Sequence, residues 1–119
     1  MELRCKRAYD TAESGDGFRV LVDRLWPRGV SKERADIDLW AKDVAPSAEL
    51  RKAWHAASDD DWPVFADRYR AELSGEAAPA LAELAAELKQ HEVVTLIYAA
   101  HDEQHNNAVV LQEALRTLL

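Results

Sequence analysis

The stretch Arg19-Val-Leu-Val-Asp-Arg-Leu-Trp-Pro-Arg-Gly29 decides how the rest of the chain is interpreted. Its apolar part, Val20–Val22, is short and rich in β-branched residues, which is typical of a buried strand. Charged side chains, an indole and a proline follow at once, and core packing alone does not require that composition. The stretch therefore predicts a strand that leaves the core at a functional site. It does not name a reaction.

Strand-like and helix-like patterns alternate along the chain around this stretch. Strands are predicted from Leu3, at Phe18–Asp23, weakly at Ile37–Ala41, and most clearly at Val93–Ala99. Helices are predicted at Ser47–Ala57, Asp61–Leu73, Ala77–Gln90 and from Asn106 to Leu118, with a short capped turn after Ser31. Because helices lie between strands, we expect an α/β fold. It would be a single compact domain over residues 1–119, with a small mixed or mostly parallel sheet flanked by helices.

The periodic apolar positions of three helices predict which side chains form the core. These positions are Trp62, Phe65, Tyr69 and Leu73, then Leu81, Leu84, Ala85 and Leu88, and finally Ala108, Leu111, Leu115 and Leu118. The indoles of Trp40, Trp54 and Trp62 are interpreted as core side chains rather than as stacking platforms.

The net charge of −7 disfavours nucleic-acid binding, because phosphate contacts need clustered Lys and Arg. The charge is unevenly placed, since residues 1–34 carry eight basic and six acidic side chains and the rest carry seven and sixteen. The basic groups of Arg19–Arg34 therefore predict a local anion site on an acidic body. A solvated surface asymmetry is the alternative.

The single cysteine, Cys5, excludes an intrachain disulfide and a Cys-based metal cluster. We interpret it as a small buried hydrophobic residue. No run approaches the roughly 18–20 apolar residues of a membrane span, and Met1–Asp10 lacks the apolar region of a signal peptide. We therefore expect a cytoplasmic protein without membrane partners.

Two predicted strand exits, after Val22 and after Ala99, carry most of the polar residues of interest. In α/β sheets ligands bind beyond the carboxyl ends of the strands. If these two strands are parallel neighbours, their loops face each other. Arg24 and Arg28 would then offer planar forks of donors to a carboxylate or phosphate, with Lys32 nearby. The alternative is that an adjacent aspartate, Asp23, pairs with one arginine and that Trp26 merely packs.

The second exit holds two histidines four residues apart, His101 and His105, the spacing that zinc can use on a helix. The third ligand would have to come from His55 or His91, so a metal site is not the preferred reading. Asp102 is expected either to cap the following helix or to orient His105 as a general base.

Two asparagines and two serines complete the candidate chemistry. The amides of Asn106 and Asn107 point into a pocket or bond the opposite loop. Ser31 and Ser47 are the hydroxyl candidates, but no serine has the flanking glycines of a nucleophile elbow, and no glycine-rich phosphate loop is present.

Three segments resemble the DUF488 family, in its YeaO-like branch. They are Arg19–Lys32, Leu39-Trp-Ala-Lys-Asp-Val-Ala-Pro-Ser47, and Thr95-Leu-Ile-Tyr-Ala-Ala followed by Asp102-Glu-Gln-His-Asn-Asn-Ala-Val-Val-Leu111. The resemblance implies a compact α/β fold and no established reaction. The recurrent residues that it implies here are Asp23, Arg24, Trp26, Pro27, Arg28, Gly29, Lys32, Lys42, Pro46, Ser47, Arg51, Asp102, His105 and Asn106. Other branches carry a Cys–His pair after the last strand. This chain has Ala100 and no cysteine there, so thiol chemistry is not transferred.

Together these observations predict a polar, cationic pocket at the strand ends that binds an anionic small molecule or a nucleotide-like ligand. The ligand-binding candidates are Asp23, Arg24, Trp26, Arg28, Lys32, Lys42, Ser47, Arg51 and Asn106, and the candidate proton carrier is His105 supported by Asp102. Whether the protein is an enzyme stays open, as does the cofactor. The alternative function is a non-catalytic protein-interaction or regulatory module that docks a partner through Trp26–Pro27.

Overall fold

The computed structural model describes residues 1–56 and 59–119. Within them, one four-stranded parallel sheet consists of β1 (Glu2–Arg7), β2 (Phe18–Leu21), β3 (Leu39–Trp40) and β4 (Val93–Tyr98). Five α-helices are described: α1 (Lys32–Ala35), α2 (Ala48–Ala56), α3 (Trp62–Ser74), α4 (Ala78–Leu88) and α5 (Asn107–Arg116). The predicted α/β class is confirmed. The predicted end of α2 at Ala57 lies outside the described residues.

The last strand in sequence lies in the middle of the sheet, because the strand order is β1-β4-β2-β3. Leu3 pairs with Val94 on one side of β4, and Leu21 pairs with Ile97 on the other. The apolar sequence of β4 predicts a strand that has neighbours on both edges and is covered on both faces. The carboxyl ends of β2 and β4 therefore lie side by side.

Most of the predicted core positions are confirmed. Phe65, Tyr69, Leu73, all four apolar positions of α4, and Ala108, Leu111 and Leu115 are buried. Leu118 was predicted to be buried, but it is 42% exposed because α5 ends at Arg116. The indoles of Trp40, Trp54 and Trp62 pack against the core as predicted, but they lie at its margin and are only half-buried. None of the described helices combines the length and apolarity needed to cross a membrane.

Arg19 is part of the core and not of an anion site, which corrects the prediction for the first basic residue of 19–34. Its guanidinium donates to a carboxylate oxygen of Asp16 at 2.5 Å and to the carbonyl of Ala35 at 2.8 and 3.0 Å. Burial would raise the pKa of Asp16, but hydrogen bonds from the Glu13 amide, Lys6 and Arg19 lower it overall. This internal ion pair connects the start of β2 to the loop before it.

Candidate functional site

The two strand exits face each other, as predicted for parallel neighbours. The amide of Val22 donates to the carbonyl of Ile97 at 3.0 Å, which extends the pairing beyond β2. Asp23 then accepts from the amide of Ala99 at 3.0 Å. The side-chain amide of Asn107, at the start of α5, donates to the carbonyl of Val22 and to Asp23, both at 3.0 Å. These bonds hold the early and the late loop together.

A cavity of about 350 Å³ opens at this junction. Its polar side chains come from both loops, from α2, from the first residue of α5 and from Tyr9 after β1. Its apolar walls come from α2, α3, both loops and Pro46 before α2. The polar lining consists of Tyr9, Asp23, Arg24, Arg28, Arg51, His55, His101, Asn106 and Asn107. The apolar lining consists of Leu25, Trp26, Pro27, Pro46, Trp54, Phe65, Ala99 and Ala100. A concave site with an apolar wall and a few convergent polar groups is the usual form of a small-molecule site.

Asp23 is a largely buried carboxylate in the wall of this cavity. Burial raises the pKa of Asp23, and this increase is partly offset by the hydrogen bonds from Asn107 and Ala99 and by electrostatic interactions with Arg51 and His55. Among the described residues, no Lys, Arg or His nitrogen lies within 4 Å of the Asp23 carboxylate, so Asp23 forms no ion pair with them. The alternative in which Asp23 pairs with an arginine is therefore not what the structure shows.

Three arginines line the same cavity. Arg24 donates through Nε to the carbonyl of Pro46 at 2.9 Å, and its terminal nitrogens form no hydrogen bond with the residues that the structure describes. Arg28 is exposed and Arg51 is half-buried. In the part of the chain that the structure describes, none of the three forms an ion pair. The three arginines therefore line one cavity without an ion pair to any acidic residue that the structure describes.

The indole of Trp26 is held by its own chain. Its Nε1 donates to the carbonyl of Val30 at 2.6 Å, and its ring packs edge-on against Trp40 at 5.4 Å between centroids. Trp40 in turn donates to the carbonyl of Asp23 at 2.8 Å. Both indoles cover the sheet face that carries Leu21 and Ile97. Trp26 thus forms part of the cavity wall and supports the loop at the same time.

Five of the predicted site residues do not line the cavity: Lys32, Lys42, Ser47, Asp102 and His105. The ammonium of Lys42 lies 3.8 Å above the ring of Trp40, a cation–π contact. Ser47 is the N-cap of α2, because its Oγ accepts from the amide of Leu50 at 3.1 Å and donates to Glu72 at 2.6 Å. Lys32 is exposed on the four-residue α1.

Asp102 and His105 do form a pair, beside the cavity. Nδ1 of His105 lies 3.5 Å from Asp102, and its ring stacks on Trp62 with centroids 5.1 Å apart. Asp102 also accepts from the amides of Gln104 and His105, and these bonds lower its pKa. The cap of α5 is Asn106 rather than Asp102, since the side chain of Asn106 accepts from the amide of Val109 at 3.1 Å.

The structure adds residues that the sequence did not assign to the pocket. Trp54 and His55 follow Arg51 at three- and four-residue steps on α2, a spacing that places all three near one face. His101 lines the cavity with Nδ1 at 3.3 Å from the guanidinium of Arg7. The described residues contain no cluster of three His, Cys, Asp or Glu side chains suited to a metal ion. The helical spacing was the signal that would have found Trp54 and His55.

Comparisons with known proteins give one family and several relatives. The chain matches the family model described as the inactive DUF488-N3 subclade over residues 2–119. It is 42% identical over 118 residues to the uncharacterized protein YeaO of Escherichia coli K12, covering 99% of this chain and 100% of that relative. It is also 42% identical over 113 residues to the uncharacterized proteins Rv3073c of Mycobacterium tuberculosis and Mb3100c of Mycobacterium bovis. That match covers 95% of this chain and 92% of each relative. No solved structure matches the chain.

Proposed function

The chain belongs to the DUF488 family, in the subclade described as inactive, and from this premise we propose that its cavity binds an anionic small molecule without converting it. The observation that carries the proposal is the convergence of Arg24, Arg28 and Arg51 on one cavity, without an acidic partner among the described residues. Guanidinium groups in that arrangement favour a carboxylate or a phosphate, which they bind through parallel N–H donors.

The positions of the candidate acid–base residues also favour ligand binding over catalysis. The pair of Asp102 and His105, which the sequence suggested for proton transfer, does not line the cavity. Within the lining, His101 is engaged at Nδ1 by Arg7, and the described residues show no hydrogen bond or ion pair between the other two candidates, Asp23 and His55. A general base needs a hydrogen-bonding nitrogen or oxygen directed at the substrate. The cavity therefore offers a recognition site with anchoring charges rather than an assembled acid–base pair.

Size and wall composition restrict the ligand further. A cavity of about 350 Å³ lies in the range of small-molecule sites. Trp54 and Phe65 form one apolar wall, with ring centroids 4.6 Å apart and planes tilted by 31°. Aromatic surface beside guanidinium groups suits a nucleotide-like ligand, with the anion on the arginines and a ring on the wall.

Substitution of Arg28 tests this proposal. Calorimetry and thermal unfolding would be measured with inorganic phosphate, ribose 5-phosphate and guanosine monophosphate as probes. Removing one charged hydrogen-bond donor costs about 1.5–3 kcal/mol, so Arg28→Ala is expected to weaken binding of guanosine monophosphate about 10- to 100-fold. Because Arg28 is exposed, the melting temperature without a probe is expected to stay within about 2 °C of the unsubstituted protein.

Arg68→Ala is the matched control, because Arg68 is an exposed arginine of α3 that does not line the cavity. It removes the same charge and is expected to bind each probe as the unsubstituted protein does. Equal losses in both variants would indicate a general charge effect and contradict the site. Absence of binding by every probe at millimolar concentration would reject the proposal, and turnover of a bound probe would reject its non-catalytic part.

A further inference from the structure

The cavity contains a carboxylate among its cations, and this is the feature that the proposed function leaves unexplained. Asp23 accepts one hydrogen bond on each oxygen, from Ala99 on one and from Asn107 on the other. A carboxylate has about four acceptor positions, so each oxygen keeps one for another donor. The two protein donors fix the plane of the carboxylate, which therefore presents a preorganised pair of acceptors at the cavity wall.

A purely anionic ligand would fit this cavity badly. Its charge would lie near Asp23 as well as near the arginines, and like charges brought together without water lower affinity. An ion pair with an arginine would cancel the charge of Asp23, but the described part of the chain contains no such pair. The cavity therefore has two recognition elements of opposite sign, and a matching ligand needs both.

We infer that the ligand is dipolar, with an anionic group held by the arginines and N–H donors that the carboxylate of Asp23 accepts. This inference rests on the proposed function and specifies its ligand class. Two sources share the chemistry, a planar ring with an N–H edge and an aliphatic ammonium. The apolar wall of Trp54 and Phe65 favours the ring, because a flat ring buries its faces there while its edge reaches Asp23.

Three probes separate the elements, with dissociation constants measured by calorimetry. Ribose 5-phosphate carries a phosphate and hydroxyl groups but no N–H donor, and O-phosphoserine carries a phosphate, a carboxylate and an ammonium. Guanosine monophosphate carries a phosphate and adjacent N–H donors on a ring. Guanosine monophosphate is expected to bind at least 10-fold more tightly than ribose 5-phosphate. Asp23→Asn is expected to remove that preference, because the amide replaces one acceptor by a donor, while ribose 5-phosphate binds no more weakly than before.

The matched control is Asp43→Asn, which removes an exposed carboxylate that does not line the cavity and is expected to keep the 10-fold preference. An Asp23-dependent preference for O-phosphoserine instead would support the dipolar ligand with an ammonium as the donor. Ribose 5-phosphate binding as tightly as both other probes would overturn the inference and leave the proposed function intact. No binding by any of the three would overturn both. If Asp23→Asn fails to fold, the comparison of the three probes on the unsubstituted protein still tests the inference of a dipolar ligand.

Discussion

Cys5 shows how a single side chain can be classified by its surroundings. It lies on β1 with its Sγ 3.7 Å from the carbonyl of Ala108 on α5. Burial raises its pKa to about 11, against a smaller lowering by the charge of Arg116. The reactive form of cysteine is the thiolate, which a pKa of about 11 makes scarce at neutral pH. The environment therefore supports the interpretation of Cys5 as a small hydrophobic residue.

Alkylation kinetics test this environment directly. The rate of reaction of Cys5 with iodoacetamide is expected to be far lower in the native protein at pH 8 than in urea, because the unfolded thiol titrates near 9.0. In the native protein the rate is expected to rise through a pKa of about 11. Mass spectrometry of quenched samples gives both rates. A native rate that levels off near pH 8 would indicate a thiolate and contradict the burial argument.

At the scale of elements, α2 is fixed by a contact that sequence alone did not reveal. Ser47 caps the helix through the amide of Leu50, and both its hydroxyl and its amide donate to Glu72 of α3, at 2.6 and 2.8 Å. The resemblance made Ser47 a candidate ligand residue. The structure gives it a structural role that connects two helices.

Ser47→Ala separates these two roles. Loss of the cap and of the bond to Glu72 is expected to lower the free energy of unfolding by about 1–2 kcal/mol. The affinity for guanosine monophosphate is expected to stay unchanged, because Ser47 does not line the cavity. Urea unfolding and calorimetry give the two quantities. The control is Ser31→Ala, which removes an exposed cap from the short α1 and is expected to cost less than 1 kcal/mol. A lower affinity for guanosine monophosphate without a loss of stability would indicate that Ser47 contributes to ligand binding.

The elements that sequence predicted well are those whose pattern is local and periodic. The apolar run of β4 and the Leu81–Leu88 stripe of α4 needed no knowledge of the rest of the chain. β3 covers only Leu39–Trp40 of the predicted Ile37–Ala41, because only these two residues are in paired register with β2. The amides of Asp38 and Ala41, on either side, still donate to the β2 carbonyls of Arg19 and Leu21 at 2.9 Å. Arg19 was misjudged for a related reason. Its partners, Asp16 and the carbonyl of Ala35, are set by loop geometry that periodicity does not encode.

At the scale of the whole molecule, the insertion of β4 between β1 and β2 forms the candidate site. It brings the loop after residue 22 against the loop after residue 99, and the sequence predicted this juxtaposition from strand character alone. The same reasoning could not tell which loop residues enter the cavity. Lys42 and His105 follow the right strands, yet each rests on an indole outside it, at Trp40 and Trp62. Whether such a side chain enters the cavity depends on which aromatic residue the fold places next to it.

The buried carboxylate of Asp23 connects the site to the stability of the whole molecule. Its pKa is raised by burial above the ordinary value of 3.8, so the native state binds this proton more tightly than the unfolded chain does. The sign follows from linkage: ionisation of Asp23 destabilises the native state, and its contribution to the free energy of unfolding falls as pH rises above 3.8 towards the native pKa. The site is thus expected to impose a stability cost at neutral pH that a bound donor would reduce.

Urea unfolding of paired variants over a pH series tests this connection. The free energy of unfolding of the unsubstituted protein, minus that of Asp23→Asn, is expected to decrease as pH rises above 3.8. Asp102→Asn is the control, for which the same difference in free energy of unfolding is expected to change with pH in the opposite direction. Because the Gln104 and His105 amides lower the pKa of Asp102, its stabilising contribution is present above 3.8 and lost as pH falls below it. A difference for Asp23→Asn that stays constant with pH, or rises, would contradict a raised pKa at Asp23. It would also weaken the case for a carboxylate kept at the cavity for an N–H donor.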